Sequence, residues 1–475
     1  MKKKYFGTDG IRGKVGNSPI TAEFFVKLGY AAGIVLSRRN KRGQKPSVVI
    51  GKDTRISGYM LESSLEAGFS SAGVNVLLTG PIPTPAIAYL TRSGKADFGV
   101  VISASHNPYD DNGVKFFSSK GLKLSDEIEY EIESLIDQKI EQVLPSKLGK
   151  AQRAENYVKQ YIEFCENTFS KKLSLKGLTI VLDCANGATY HIAPVIFSNL
   201  GANIITVNDK PDGLNINKKA GSVYPKNLQA AVSLHNADIG IAFDGDGDRV
   251  IMVDENGTLV DGDQLLYLIM QFYVKEGYEF GGVVGTHMTN LAFEEKCKMQ
   301  SIPFARANVG DRYVSEELDR RKWILGGENS GHILVKNLHS TGDGIISALQ
   351  VLSHLVKNKK SLKDALTEIQ LYPQILINIP TENKVKLYLG LAAEKLNIEN
   401  QKVYLSDNSE LEFDKLVLAT GSRVRYLDFP GSELNSIFYL RDLDDAEAIK
   451  KDLETSDNLV IIGAGYIGLE AAAIA

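Results

Sequence analysis

Short apolar runs rich in β-branched residues recur along most of the chain. Each ends in glycine, aspartate or serine and gives way to a longer amphipathic stretch. Ser47–Ile50, Val74–Leu78, Phe98–Ile102, Leu178–Leu182, Ile239–Phe243 and Gly282–Val284 have the length and composition of buried strands. Such strands alternating with helices predict an α/β fold with mostly parallel sheets covered on both faces. Working residues then belong on loops beyond the carboxyl ends of strands. A charged helical pattern at Asp126–Gln142, a turn at Glu255-Asn256-Gly257 and the end of a helix expected over Ser361–Gln370 divide the chain. The expected domains are 1–150, 151–255 and 256–370, then a junction at 371–383 and a last segment at 384–475.

Composition narrows the class. The 475 residues are 43% apolar and 24% charged, with 43 glycines and 14 prolines. These values fit several packed cores and exclude a disordered chain, a collagen-like fibre or a disulfide scaffold. The net charge of −4 gives no basic surplus for nucleic acid or an anionic membrane. Cys165, Cys184 and Cys297 are isolated, with no metal or disulfide spacing. The basic start Met1–Lys4 runs into Tyr5-Phe6-Gly7, not an apolar signal core. The densest apolar run, Leu265–Val274, is about half the length that crosses a bilayer. A cytoplasmic protein is expected.

Three loops carry candidate chemistry. Asp244-Gly245-Asp246-Gly247-Asp248-Arg249 lies between the apolar runs 239–243 and 250–253, and its three carboxylates can converge on one hard cation. An EF-hand is excluded, because Arg249 stands where that loop needs glycine and the flanks read as strands. Ser103-Ala104-Ser105-His106-Asn107-Pro108 follows a buried strand, and a serine on such a turn suits a nucleophile or phosphate carrier. Gly326-Gly327-Glu328-Asn329-Ser330-Gly331-His332 follows Trp323-Ile324-Leu325 and offers donors and acceptors for sugar hydroxyls. Taken singly, the second and third loops read equally well as polar turns.

With the opening Phe6-Gly7-Thr8-Asp9-Gly10-Ile11-Arg12-Gly13, these loops resemble the α-D-phosphohexomutases over about residues 1–379. The resemblance implies consecutive α/β domains facing one cleft and Ser105 as phosphoryl carrier. It further implies Mg²⁺ on Asp244, Asp246, Asp248 and the Ser105 oxygen. Arg12 and Arg249 would serve as cations near the phosphate, Lys115 and His332 in proton handling and positioning, and Glu328 and Ser330 as sugar ligands. Within the family the run is most similar to enzymes converting glucosamine 6-phosphate to glucosamine 1-phosphate through a bisphosphate. Glucosamine or glucose 1,6-bisphosphate is the activator this implies, and a small sugar phosphate the partner. Phosphomannomutase or phosphoglucomutase activity is the alternative, and the sequence says nothing of oligomeric state.

The pattern then breaks. The family's fourth domain carries an Arg-x-Ser-Gly-Thr-Glu-Pro phosphate loop, and no such string occurs here. Residues 384–475 instead resemble a piece of an FAD-dependent pyridine-nucleotide reductase of the ferredoxin-reductase kind. The features are Leu416–Gly421 and a strand at Asn458–Ile462 running into Gly463-Ala464-Gly465-Tyr466-Ile467-Gly468. The glycine motif reads as vestigial. A lone βα unit cannot cover its sheet edges, so FAD or NAD binding is not expected. The chain reads as a chimera whose mutase activity is impaired; an inactive chimera and an oxidoreductase fragment are the competing expectations.

Overall fold

The computed structural model describes residues 3–7, 9–39, 44–374, 393–397, 400–405, 409–412 and 449. Residues 1–376 and 377–475 form two separate compact units.

Three sheets build the first unit. The first contains β1 (Ile11–Lys14), β2 (Ser47–Lys52), β3 (Asn75–Pro81), β4 (Phe98–Ile102), β5 (Asp111–Phe117) and β6 (Ala151–Arg153), ordered β1-β5-β4-β2-β3-β6. The second contains β7 (Thr179–Asp183), β8 (Asn203–Val207), β9 (Ile239–Phe243), β10 (Val250–Val253) and β11 (Leu259–Val260), ordered β11-β10-β9-β7-β8. The third contains β12 (Val283–Thr286), β13 (Phe304–Ala307), β14 (Leu325–Gly327) and β15 (Ile333–Val335), ordered β13-β12-β14-β15.

Each sheet has a parallel centre ending in an antiparallel partner. The reversals fall at β4–β5, β9–β10 and β14–β15. Every residue of β4 and β9 is buried, as expected for strands covered on both faces. In the first domain, helices 22–38 and 57–71 pack on one another by close backbone contact. A Cβ on Gly68 would lie 2.3 Å from the Val26 carbonyl oxygen, so a side chain there would push the helices apart.

The largest apolar cluster does not respect the three sheets. It runs from Val49 and Ile87 through Tyr161, Ile180 and Ile241 to Leu266 and Leu352. At about 25 cal/mol per Å² of apolar surface, this shared core ties the sheets into one rigid frame. Asp343 adds a polar tie. Its carboxylate caps helix 344–358 through Ile345 and Ile346 N–H and accepts the Tyr161 hydroxyl at 2.7 Å. Cys165, Cys184 and Cys297 are buried free thiols.

Several elements differ from expectation. The helix that opens at Asp126 ends at Ile136, short of Gln142. Only Leu362–Ala365 is helical within 361–370. The third-loop glycines, Gly326 and Gly327, belong to β14, where a Cβ would lie 2.9 Å from the Val284 and His332 carbonyl oxygens respectively. The first and second sheets take their last strands, β6 and β11, from just beyond residues 150 and 255.

In the second unit, β16 (Ala393–Asn397), β17 (Lys402–Leu405) and β18 (Glu410–Glu412) form an antiparallel meander. Residues 416–421 and the glycines Gly463, Gly465 and Gly468 lie outside the described residues.

Buried His339 ties the third domain to the first, its Nε2 3.0 Å from the Pro85 carbonyl oxygen. Burial, with Arg92 adding to it, pushes the imidazole down to about 3. The unfolded chain takes up a proton near pH 6.5 that the folded one refuses, so stability from this group is present above that pH and lost as pH falls towards 3. The slope is about 1.4 kcal/mol per pH unit. Urea unfolding at pH 7, 6 and 5 should show wild type losing stability more steeply than His339→Asn by about that slope. Parallel losses would refute the assignment.

Candidate active site

The β4–β5 connection carries Ser105, which is 1% exposed and has φ of 50°. A left-handed serine costs about 1 kcal/mol, so the surroundings must hold it. Its N–H donates to Ser103 Oγ at 2.9 Å, and its hydroxyl donates to Asp244 Oδ2 at 2.7 Å. His106 Nδ1 lies 3.4 Å from the same hydroxyl, and burial, then Arg249 and Arg12, push that imidazole down to about 4.

The β9–β10 connection supplies Asp244, Asp246 and Asp248, all buried, with ligand oxygens within 4.8 Å of one another. Gly247, at φ of 75°, lets the loop turn this tightly, and a Cβ there would strike Thr189 Cγ2 at 2.7 Å. Thr84 fixes Asp246 by donating its hydroxyl to Oδ2 at 2.6 Å and its N–H to the Asp246 carbonyl at 2.8 Å. Burial and the carboxylates of Asp248 and Asp246 push Asp244 well above the ordinary carboxylate range. Asp246 Oδ1 and Asp248 Oδ1 are buried without a hydrogen-bond partner among the described residues. Orphaned oxygens crowded among like charges are the state a bound cation would relieve.

Counter-charges close a ring around the triad. Lys115, on β5, lies 3.1 Å from Asp9, 3.3 Å from Asp246 and 3.5 Å from Asp248. Burial opposes its charge, but these carboxylates outweigh burial and hold the ammonium protonated. Lys123 joins Asp9 at 2.5 Å to Asp311 at 2.6 Å. His332 closes the ring, its Nε2 3.8 Å from Asp311 and its Nδ1 3.7 Å from Asp248. Burial opposes protonation of His332, and Asp248 outweighs it and raises its pKa. The ring takes residues from all three sheets' domains.

A cleft of about 480 Å³ opens over this ring. Arg12, Ser105, Arg249, Glu328, Ser330 and His332 are among its walls. Glu328 is anchored by the Gly310 N–H at 2.9 Å, and Arg12 pairs with Asp9. Arg12 Nε and Arg249 Nε are buried donors without a hydrogen-bond partner among the described residues, though Arg249 Nε lies 3.9 Å from Asp248. Unpaired guanidinium N–H groups in a cleft suit an oxyanion such as phosphate.

The phosphoglucomutase/phosphomannomutase alpha/beta/alpha families match in chain order: domain I over residues 3–143, domain II over 155–257 and domain III over 261–372. A phosphoglucosamine mutase of Methylobacillus flagellatus is 57% identical over 390 residues, which is 82% of this chain and 86% of that protein. The chain belongs to the phosphoglucosamine mutase family. A second phosphoglucosamine mutase, from Neisseria meningitidis, is 56% identical over 379 residues, 80% of this chain and 85% of its own. The crystal structure of a phosphoglucomutase/phosphomannomutase family protein from Burkholderia thailandensis superimposes with a TM-score of 0.65 at 26% identity. It covers 76% of this chain and 78% of that one. The pyridine nucleotide-disulphide oxidoreductase family matches residues 324–475, overlapping the mutase match over 324–372. In the overlap, β14, β15 and helix 344–358 are parts of the third mutase sheet and its cover, so the fold there is the mutase family's.

Every site residue singled out from the first three domains lies at this one cleft or in the charge ring beneath it. Sequence reasoning missed Asp9, Thr84, Lys123 and Asp311. Asp9 stood inside the quoted opening motif, but Lys123 and Asp311 carry no local signal and acquire a role only through pairing across domains. Lys115→Met should leave Asp9, Asp246 and Asp248 without their shared buried cation. The expected loss is about 3 kcal/mol of unfolding free energy, read by urea denaturation; an unchanged midpoint would mean the carboxylates are neutralised otherwise.

Proposed function

We propose that this chain interconverts glucosamine 6-phosphate and glucosamine 1-phosphate, with Ser105 as the phosphoryl carrier. The observation that carries the reading is the Ser105 hydroxyl, 2.7 Å from Asp244 of a buried triad in which Asp246 Oδ1 and Asp248 Oδ1 have no hydrogen-bond partner among the described residues. The family relationship supplies the sugar, since the relatives at 56–57% identity are named phosphoglucosamine mutases. The domain division that accompanies this reading is 1–150, 151–255 and 256–370, with β6 and β11 reaching back from just past the first two bounds into the preceding sheets, a junction at 371–383 and a non-mutase segment at 384–475.

In this reaction the phosphoserine Oγ–P bond breaks as a sugar hydroxyl oxygen bonds to phosphorus. The hydroxyl proton passes through His332 to the released Oγ. After the bisphosphate reorients, Oγ bonds to its other phosphorus, the sugar O–P bond there breaks, and the proton returns to the freed sugar oxygen. Such transfer depends chiefly on positioning and charge neutralisation. Arg12 and Arg249, on the cleft wall, offer guanidinium N–H groups to the phosphate. Lys115, held as an ammonium, supplies a fixed positive charge and a donor rather than a base. His332 Nε2, buried and without a hydrogen-bond partner among the described residues, is assigned proton exchange with the sugar hydroxyls. Glu328 and Ser330 are assigned the sugar hydroxyls themselves.

The donor set fits Mg²⁺, with three carboxylates and the Ser105 oxygen all hard ligands. Bound there, the ion would offset negative charge on the transferring group. Glucosamine or glucose 1,6-bisphosphate is assigned as the activator that phosphorylates Ser105. The second unit is given no FAD or NAD.

Purified protein incubated with glucose 1,6-bisphosphate should gain one phosphoryl group at Ser105 by mass spectrometry, and Ser105→Ala none. Absence of label on wild type would overturn the carrier assignment. The kcat/KM values for glucosamine, glucose and mannose 6-phosphates should be highest for glucosamine; a preference for mannose or glucose moves the chain to the alternative activities. Mg²⁺ at about a hundred times its Kd should add roughly 2.7 kcal/mol of stability, raising the melting temperature. That rise should vanish in Asp246→Asn.

A further inference from the structure

Two side chains with no part in the chemistry above grip the carrier loop from opposite domains. Arg55, just after β2, is fully buried. Its Nη2 donates to the Ser105 carbonyl at 3.2 Å and the Asn107 carbonyl at 2.6 Å, and its Nε reaches the Pro108 carbonyl at 3.4 Å. Its other arm is held by the Asp53 carboxylate, which also accepts the Arg55 N–H at 2.9 Å. Asn217, from the second sheet's domain, donates Nδ2 to the same two carbonyls, at 2.8 Å and 3.0 Å. Asn217 itself has φ of 58°, a left-handed conformation that asparagine tolerates, and its N–H is tied to the Ala185 carbonyl at 2.9 Å.

Two carbonyl dipoles turned towards common donors repel one another, so this turn needs cationic and amide N–H groups between them. The metal-type loop rests on the same contact. A Cβ on Gly245 would lie 2.7 Å from Asn217 Nδ2 and 2.7 Å from the Ser105 carbonyl oxygen. The clamp thus fixes the left-handed Ser105 and seats the Asp244 loop against it, which sets the line from Oγ to Asp244.

We infer that Arg55 and Asn217 are positioning residues for Ser105, holding its hydroxyl in register with the carboxylate triad through the backbone on which it sits. The inference rests on Ser105 being the phosphoryl carrier. Without the clamp the serine is free to relax to an ordinary backbone conformation and its Oγ to leave the triad. Transfer then slows while the walls that bind substrate stay in place.

Asn217→Gly keeps a backbone that tolerates φ above zero and removes both amide donors. In the full-length protein, hydrogen exchange of the amides at 103–107 should rise about tenfold, with other peptides unchanged. Phosphorylation of Ser105 by glucose 1,6-bisphosphate should slow by about 10- to 100-fold at saturation, with the half-saturating concentration within about twofold. Arg55→Lys keeps a charge for Asp53 but loses the forked donors; it should move both readouts the same way, and it replaces the glycine variant if that fails to fold. Unchanged loop exchange, or a loosened loop with an unchanged phosphorylation rate, overturns the clamp. Wild type that takes no phosphate overturns the carrier reading and the positioning role with it. That outcome is distinct from failure of the clamp alone, in which wild type and variant label equally fast.

Discussion

Three buried aspartates held within 4.8 Å of one another are the demand that the rest of the first unit meets. Like charges in a low-dielectric interior repel strongly, and each must find a cation or a donor. The second sheet supplies the carboxylates and, through Arg249, only part of their compensation. Lys115 comes from the first sheet, His332 from the third, and Asp9, Lys123 and Asp311 link them into a ring. No single domain of this chain is electrostatically complete. This explains why the apolar core runs continuously through all three sheets: a frame free to flex would open the ring.

The three chemistry loops share one topological position. Each joins a parallel strand of its sheet to an adjacent antiparallel partner, at β4–β5, β9–β10 and β14–β15. A parallel strand ends with its carbonyl edge at the face where ligands collect. A direct reversal there exposes a short loop, without the long crossover a parallel neighbour needs. The same device used three times places a serine, a carboxylate triad and a sugar-type loop around one cleft. The repeat is invisible at the level of sequence similarity, because the loops differ in length and share no common motif.

The chain joins two families. The mutase matches end at residue 372 and the oxidoreductase match runs to 475, with the first compact unit ending at 376. The overlap at 324–372 is decided by packing: β14 pairs with β12 and β15, and helix 344–358 caps on Asp343 at the heart of the mutase unit.

Much of this was legible in the residues alone. The apolar runs placed β4 and β9 to the residue, because strands buried on both faces tolerate little but apolar side chains. The closely spaced carboxylates marked the triad from its own residues, whereas Ser105 and Glu328 stood out from ordinary polar turns only through the family resemblance. Helix ends were less legible. The charged helix from Asp126 stopped early, and β14 absorbed glycines that look like a turn, because tertiary contact decides both. Lys123, Asp311, Arg55 and Asn217 carry no local pattern at all. An isolated lysine or asparagine reads as surface until folding brings it, across 188 residues for Lys123 and Asp311, against the group it serves. The sequence by itself determined the chemical groups and the strands that end in them. The tertiary structure decided which charges neutralise one another and which carbonyls need a clamp, because those energies depend on distances that only the packed core sets.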